Sequence, residues 1–146
     1  MCFGAPDPVE SIRIELPSSP GPVAQRASTV LAREINERSG IAAGAEESPD
    51  LTISLTLNPG IGTEGFTISE GGAKQVTITG NDDKGLLYGV GKFLRGCDYG
   101  QGEFTPSSWR GTSVPEGTLR GIYFATHFNN WYEVATDAER RRYVES

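Results

Sequence analysis

Apolar and polar residues alternate along four short segments of the chain, which is the period of a half-buried β-strand. The segments are 11–16, 51–57, 65–69 and 75–79. The turn residues Asn58-Pro-Gly60 and Glu70-Gly-Gly72 separate the last three segments. Because these connections are short, we predict that the last three strands form an antiparallel meander.

Two further segments space their apolar residues by three and four, which predicts amphipathic helices. The first covers 23–38, with Ser19 or Gly21 available to cap its start and Gly40 suited to a left-handed end. The second covers 83–94 and follows Asn81-Asp-Asp83, whose side chains can cap free N–H groups. Its predicted buried face consists of Leu87, Val90 and Leu94.

The predicted order β-α-β-β-β-α indicates an α+β protein with a two-layer sandwich. We expect a mostly antiparallel four-stranded sheet with the two helices on one face. This domain covers residues 10–97, which suffices for one modest core, and residues 1–9 form an N-terminal tail.

The character of the sequence changes after residue 97. Residues 98–117 are rich in glycine and serine and are predicted to be a linker. The run 118–126 is apolar with little alternation, as in a strand that is buried on both faces of a parallel barrel. A loop over 127–135 and a capping box from Thr136 to Glu139 then predict a helix that begins near Glu139.

This strand, loop and helix predict that 118–146 is the truncated start of a (β/α) barrel. A strand without its barrel neighbours is expected to pair with a sheet edge, to exchange between chains or to be poorly ordered.

Composition excludes several classes of partner. The net charge of -6 argues against nucleic acid, whose phosphates require clustered Lys and Arg. No apolar run approaches the roughly 20 residues that cross a bilayer. No signal peptide is visible at the N-terminus, and the compartment stays open, because a leader removed earlier would place the protein in the periplasm or outside the cell.

Cysteine and histidine are scarce, with two Cys and one His in the chain. These are too few soft ligands for a structural zinc site, so no metal and no cofactor are expected. Cys2 is either an incidental thiol or the lipid-bearing residue of a mature lipoprotein, and a Cys2–Cys97 disulfide has no support from the sequence.

Two glycine-rich motifs resemble nucleotide-binding loops. Gly60-Ile-Gly-Thr-Glu-Gly65 has the dinucleotide spacing but precedes a predicted strand, whereas a pyrophosphate needs a helix N-terminus, so we predict a hairpin loop. The segment Gly85–Lys92 lacks the first glycine and the final hydroxyl residue of a phosphate loop. Gly89 and Gly91 cost about 1 kcal/mol each inside a helix, which is tolerable where the helix lies close against a sheet or a neighbouring domain.

Three segments together resemble the N-terminal domain and first barrel strand of family-20 β-N-acetylhexosaminidases. They are Gly65-Phe-Thr-Ile68, the strand, turn and helix over Val76–Leu94, and Leu119-Arg-Gly-Ile-Tyr-Phe124. The pattern also resembles α-glucuronidases and related barrel glycosidases. The resemblance implies that the full-length protein is a glycoside hydrolase whose catalytic barrel is the partner of this domain.

The resemblance also implies two candidate sugar-binding residues in the full-length protein. Arg120 matches the arginine with which hexosaminidases hold hydroxyls of the terminal sugar. His127 follows the predicted barrel strand, at the end where active sites lie, although a structural hydrogen bond explains it equally well. The residues before His127-Phe128 are not the Asp and Arg of those enzymes, which argues against hexosaminidase specificity. No position here matches their catalytic Asp-Glu pair.

We expect a non-catalytic accessory domain that supports a catalytic barrel and binds carbohydrate only as part of the full-length protein. One alternative is a carbohydrate- or protein-binding module in which Trp109, Trp131, Tyr123 and Tyr132 form a stacking platform. A second alternative is a free-standing small enzyme.

Overall fold

The computed structural model describes residues 7–44, 47–72, 74–117, 119, 121 and 131–145. The chain divides into two compact units, Met1–Glu116 and Gly117–Ser146. In these described ranges, no helix combines the length and the apolar character that a bilayer crossing demands.

The described part of the first unit contains two helices and eight strands. The helices are α1 (Pro22–Ser39) and α2 (Asp83–Arg95). The strands are β1 (Ile12–Glu15), β2 (Ala43–Gly44), β3 (Leu51–Leu57), β4 (Phe66–Gly72), β5 (Gln75–Gly80), β6 (Asp98–Gly100), β7 (Glu103–Thr105) and β8 (Gly111–Ser113).

Six strands form one mixed sheet in the order β2-β1-β3-β5-β4-β8. Strand β1 pairs in parallel with β2 and β3, and β3 pairs in parallel with β5. Strand β4 pairs antiparallel with β5 and β8. The α+β class is confirmed, whereas the prediction of a mostly antiparallel four-stranded sheet is wrong.

The meander fails because β5 lies between β3 and β4. Residues 58–65 connect β3 to β4 and reach farther than the roughly 4.8 Å between neighbouring strands. Strand β4 therefore lies two positions away from β3 in the sheet, which leaves the position between them for another strand. The tight β4–β5 turn then returns the chain into that position, beside β3. The glycine-rich segment 60–65 is therefore a crossover loop and does not close a hairpin.

Helices α1 and α2 both contribute to the single core of this unit. Helix α1 begins after Gly21, as predicted, and ends at Gly40, whose φ of 78° is left-handed. The apolar side chains that both helices cover include Ile53, Leu55 and Ile78.

The other face of the sheet is polar. Thr56 and Thr79 face each other across β3 and β5 with their hydroxyl oxygens 2.8 Å apart. Thr67 and Thr112 do the same across β4 and β8 at 2.9 Å. These hydroxyl pairs satisfy one another on the face that the helices leave open, as in sheets with one solvated side.

Segment 98–117, which the sequence predicts to be a linker, contains three short strands. Strands β6 and β7 form a hairpin, and Phe104 in β7 is completely buried in the core. Val9 exchanges backbone hydrogen bonds with Phe104, so part of the predicted N-terminal tail joins this hairpin. Strand β8 extends the main sheet.

The second unit contains α3 (Trp131–Val134) and α4 (Asp137–Glu145). The capping box is confirmed, because Glu139 accepts hydrogen bonds from the Thr136 backbone N–H and hydroxyl, both at 2.8 Å. These bonds hold the pKa of Glu139 below its usual value. Most of the predicted strand 118–126, and the part of the loop before Trp131, lie outside the described residues.

Candidate interaction surface

Glycine residues set the distance between α2 and the sheet. Asp82 caps the helix by accepting a hydrogen bond of 2.9 Å from the Gly85 N–H. A Cβ on Gly85 would collide with the carbonyl oxygen of Gly65, and a Cβ on Gly89 would lie 2.7 Å from Cγ2 of Ile78. The expectation that glycine allows this helix to lie close against the sheet was made for Gly89 and Gly91, and it is confirmed for Gly89.

The opposite side of α2 forms a stripe that we call the outward face. Its members are Lys84, Leu87, Tyr88, Gly91 and Arg95, which follow the three- and four-residue spacing of one helix side. Leu87 and Tyr88 are 38% and 39% exposed. An exposed apolar pair at the centre of a helix, with basic residues at both ends, has the composition of a contact surface.

The position of Leu87 corrects the predicted helix orientation. The sequence places Leu87 on the buried face with Val90 and Leu94, and those two residues are indeed buried. Leu86 and Phe93 are completely buried. The side of α2 that faces the sheet therefore carries these two residues, and Leu87 lies outside it.

Helix α1 provides an internal comparison, because its outward side is polar. Its exposed residues include Gln25, Arg26, Thr29, Arg33, Asn36 and Glu37. None of the large exposed apolar side chains in the described part of the chain belongs to α1. The two helices cover the same sheet, yet only α2 presents apolar groups outward.

Gly91 has no packing role inside the domain. A Cβ built there would meet one atom within 4 Å, Nη1 of Arg95 at 3.4 Å, which is the far end of a flexible side chain. Glycine inside a helix costs about 1 kcal/mol relative to alanine. Nothing within the described part of this unit explains that cost.

The first unit ends close to the start of α2. Val114, two residues before the unit boundary, is 43% exposed and lies beside the crossover loop. A Cβ on Gly62 would be 3.0 Å from Cγ1 of Val114, and one on Gly65 would be 3.1 Å from its Cγ2. Because Gly65 touches Gly85, the chain leaves this unit next to the first turn of α2.

The crossover loop is held by side chains of the protein itself. Oδ1 of Asn81 accepts hydrogen bonds of 2.9–3.0 Å from the backbone N–H groups of Gly60, Ile61 and Gly62. Asp82 accepts a further bond of 2.7 Å from the Glu64 N–H. The N–H groups that would hold a pyrophosphate in a dinucleotide site are therefore already occupied.

A cleft of about 440 Å³ lies at the amino ends of β3 and β5. Three of its charged groups, Asp50, Glu70 and Arg110, are engaged with neighbours. The Glu70 carboxylate accepts a hydrogen bond of 2.7 Å from Nε of Arg110. The Ser11 hydroxyl and the Glu10 N–H donate to Asp50 and hold its pKa below its usual value. These contacts connect the ends of strands to neighbouring loops.

Cys97 is buried directly after α2. Its thiol donates to the Phe93 carbonyl at 3.2 Å, and its sulfur accepts from the Ser107 N–H at 3.3 Å. Burial raises the pKa of Cys97 to about 12, so the thiol is a poor nucleophile. The structure of the described segments contains no cluster of three metal-ligating side chains.

The residues of the proposed stacking platform do not come together within one unit. Trp109 packs on Phe66 in the first unit, and Nζ of Lys92 lies 5.1 Å from the centre of its ring. Trp131 packs against Tyr143 in the second unit. The Tyr123 and Tyr132 side chains lie outside the described part of the structure.

Both candidate sugar-binding residues, Arg120 and His127, also lie outside the described residues. Their roles stay predictions that rest on the family resemblance. The outward face of α2 was missed by the sequence analysis, although Gly91 was an available signal.

A family model described as the N-terminus of glycosyl hydrolase family 67 matches residues 1–93. The match covers most of the first unit, including the outward face of α2 up to Gly91. No curated protein matches the chain.

Several solved structures share the fold. A GH20 β-N-acetylhexosaminidase from Streptomyces coelicolor has a TM-score of 0.56 and 22% identity over 75% of this chain and 23% of that one. A chitobiase from Flavobacterium johnsoniae has a TM-score of 0.57 and 21% identity over 90% of this chain and 23% of that one. A GH20 exo-β-N-acetylglucosaminidase from Vibrio harveyi has a TM-score of 0.56 and 10% identity over 72% of this chain and 16% of that one. The chain thus spans less than a quarter of the length of each.

Proposed function

Because the chain belongs to the family of glycosyl hydrolase family 67 N-terminal domains, we propose that it is a non-catalytic accessory domain that supports the catalytic barrel of a carbohydrate-active enzyme. The observation that carries this proposal is the family match over residues 1–93, which lies on the α/β sandwich itself. A domain of this kind contributes stability and position to a neighbouring domain, and the neighbour performs the chemistry.

The engagement of four carboxylates in the first unit supports a non-catalytic role. Glycoside hydrolysis needs two carboxyl groups about 5 to 10 Å apart across a sugar site. In the first unit Asp50 and Asp82 accept backbone hydrogen bonds, and Glu64 and Glu70 form ion pairs with Lys84 and Arg110. These carboxylates stabilise the fold. Because their oxygens are engaged in hydrogen bonds and ion pairs, they are poorly placed to exchange protons with a substrate.

The second unit supports the idea of a neighbouring barrel. Leu119 is 94% exposed, and Val134 and Tyr143 are also exposed on the described part of this unit. Apolar groups in this number on so short a segment favour burial against further structure. We propose that 118–146 begins the barrel, and that Arg120 and His127 contact the sugar in the full-length enzyme.

Activity measurements on aryl glycosides test this function. The 146-residue chain is expected to show no turnover, whereas the full-length protein hydrolyses a substrate of its class. Turnover by the chain alone, abolished by changing one carboxylate, would refute the accessory role and favour a free-standing enzyme.

A stability measurement tests the supporting role in the full-length protein. The substitution Gly89→Ala overpacks the helix–sheet contact and should lower the temperature at which hydrolytic activity is lost. Activity at low temperature should be unchanged. If the variant domain unfolds early while activity survives to the original temperature, the domain does not support the barrel.

A further inference from the structure

We propose that the cleft of about 440 Å³ at the amino ends of β3 and β5 is a binding site for a neutral saccharide. The inference goes beyond the supporting role proposed above and does not depend on it. Three observations carry it: the size and lining of the cleft, the unused hydrogen-bonding atoms of its polar side chains, and the pairing of its charges.

The first observation is that the cleft has the size and the lining of a small-molecule site. Such sites measure roughly 300–1,000 Å³ and combine apolar walls with a few polar groups that fix the ligand. Leu51 and Val76, which are 5% and 2% exposed, form an apolar floor beside Val9. The whole lining belongs to the first unit and comes from the segments 7–9, 50–51, 70–76 and 106–110.

The second observation is that contacts within the domain use only part of each polar group in the cleft. Asp50 accepts hydrogen bonds from Glu10 and Ser11 on Oδ2 alone. Glu70 binds Arg110 through Oε1, and Arg110 donates from Nε and Nη1. Among the described residues, Oδ1 of Asp50, Oε2 of Glu70 and Nη2 of Arg110 therefore have no hydrogen-bond partner.

These unused atoms are accessible to a ligand. The buried side-chain atoms that lack a partner in the described segments do not include Oδ1 of Asp50 or Nη2 of Arg110, and Glu70 is an exposed residue. Lys74, which also lines the cleft, is exposed and forms no side-chain hydrogen bond or ion pair within the described ranges. The cleft therefore offers two acceptors and two donors.

The contacts that the protein does make hold the polar groups in place before a ligand arrives. The Ser11 hydroxyl donates to Asp50 at 2.8 Å. Nη1 of Arg110 donates to the carbonyl oxygens of Ser107 and Trp109 at 2.6 and 2.9 Å. Because these side chains are already ordered, binding costs little of their rotational freedom.

The third observation identifies the ligand as uncharged. Oε1 of Glu70 lies 2.7 Å from Nε of Arg110, and the positive charge of Lys74 acts on the Asp50 carboxylate. Since these charges already have opposite charges beside them, a charged ligand gains little by entering. Asp7 adds a further carboxylate to the lining, which disfavours an anion.

Hydroxyl groups match the atoms that the cleft offers. A hydroxyl both donates and accepts, so it can pair with Asp50 and Glu70 as well as with Arg110 and Lys74. A ligand that only donates or only accepts would leave some of these atoms unpaired, at a cost in affinity. A sugar ring carries several hydroxyls and apolar C–H groups, and the C–H groups fit the apolar floor.

A nuclear magnetic resonance titration of the 146-residue chain tests the site with glucose, galactose, xylose and N-acetylglucosamine. At least one of these sugars should shift the amide signals of residues 50–51, 74–76 and 110 with a Kd of about 1–10 mM. The affinity is modest because no aromatic side chain is among the lining residues of the described structure. Absence of saturable shifts with all four sugars, or shifts confined to other residues, would overturn the proposal.

Two charged sugars test whether the ligand is neutral. Glucuronate and glucosamine keep the glucose ring and add a carboxylate or an ammonium group. Each should bind at least about threefold more weakly than the best neutral sugar, because the paired charges of the cleft do not compensate the loss of hydration. Tighter binding of either charged sugar than of every neutral one would show that the cleft recognises charge and would refute a neutral ligand.

Three substitutions locate the binding. Lys74→Ala removes a donor and Glu70→Gln replaces an acceptor, so each should weaken sugar binding by about three- to tenfold. Lys84→Ala, an exposed lysine beyond the opposite end of β5, is the matched control and should bind as the parent chain does. Parental affinity in both cleft variants would overturn the proposal. The supporting role is measured separately by thermal inactivation, so it survives a failure of the saccharide site.

Discussion

Gly89 and Gly91 lie two residues apart on α2 and face opposite environments. A Cβ on Gly89 would press within 2.7 Å of Cγ2 of Ile78, whereas one on Gly91 would meet only the end of the Arg95 side chain. Gly89 belongs to the packing of this domain, and Gly91 lies on the outward face of the helix.

The first prediction follows from the contact between Gly89 and Ile78. Gly89→Ala should destabilise the 146-residue chain by about 1–2 kcal/mol, because overpacking costs more than the gain in helix propensity. Urea unfolding measures this change. Gly91→Ala is the matched control and should stabilise the same chain by up to about 1 kcal/mol. Equal effects of the two substitutions would contradict the assigned environments.

The second prediction concerns Asn81, which accepts hydrogen bonds from three backbone N–H groups of the crossover loop. Asn81→Ala should destabilise the first unit by about 2–3 kcal/mol, since it leaves several donors without their partner. Hydrogen exchange should become faster at Gly60, Ile61 and Gly62. Asn58→Ala, a change at an exposed position of the same loop, should have little effect, and equal exchange in both variants would contradict the role of Asn81.

The third prediction is a loss of stability at alkaline pH. Burial raises the pKa values of Cys97 and Tyr99 to about 12, from the ordinary values of 9.0 and 10.0. Between the ordinary and the raised values the unfolded chain loses protons that the folded chain retains, so folding becomes less favourable as pH rises. Urea unfolding between about pH 8 and pH 11 measures the slope.

Two substitutions separate the contributions to that slope. The Tyr99 hydroxyl donates to the Leu94 carbonyl at 2.9 Å, and Tyr99→Phe removes the titrating group with little change of shape. Cys97→Ala removes the thiol. Each variant should show a weaker dependence on alkaline pH than the parent chain, and an unchanged slope in the double variant would show that other groups cause it.

The fourth prediction concerns Arg120 in the full-length enzyme. If this guanidinium holds sugar hydroxyls, Arg120→Ala should lower kcat/KM by more than about tenfold, with the folding temperature unchanged. Arg33→Ala, at an exposed position of α1, is the control. An unaltered kcat/KM would show that Arg120 does not contact the substrate, and His127→Ala tests the second candidate in the same way.

The local elements could be predicted because they depend on neighbouring residues. The alternation in 51–57 corresponds to strand β3 without shift, and the spacing in 83–94 corresponds to α2 to within one residue. Thr136 and Glu139 form the capping box that their spacing predicts. In each case the residues that determine the element lie within a few sequence positions of one another.

The order of the strands could not be predicted in the same way. Apolar and polar residues alternate equally well in β3 and β5, and nothing in either pattern tells whether the two strands lie side by side. A contact between Asn81, which follows β5, and the loop that follows β3 accompanies this pairing, and the two strands end opposite each other. Such a contact joins residues about twenty positions apart and produces no periodic pattern in the sequence.

The sequence by itself determined α1, α2, four of the strands and the resemblance to the N-terminal domains of glycoside hydrolases, because periodicity, turn residues and short motifs act locally. Only the tertiary structure decided the parallel pairing of β3 with β5, the occupation of the loop by Asn81, and the outward direction of Leu87, Tyr88 and Gly91. The physical reason is that a helix side is buried or exposed according to what packs against it, and the pattern of apolar residues alone does not tell which side faces the core.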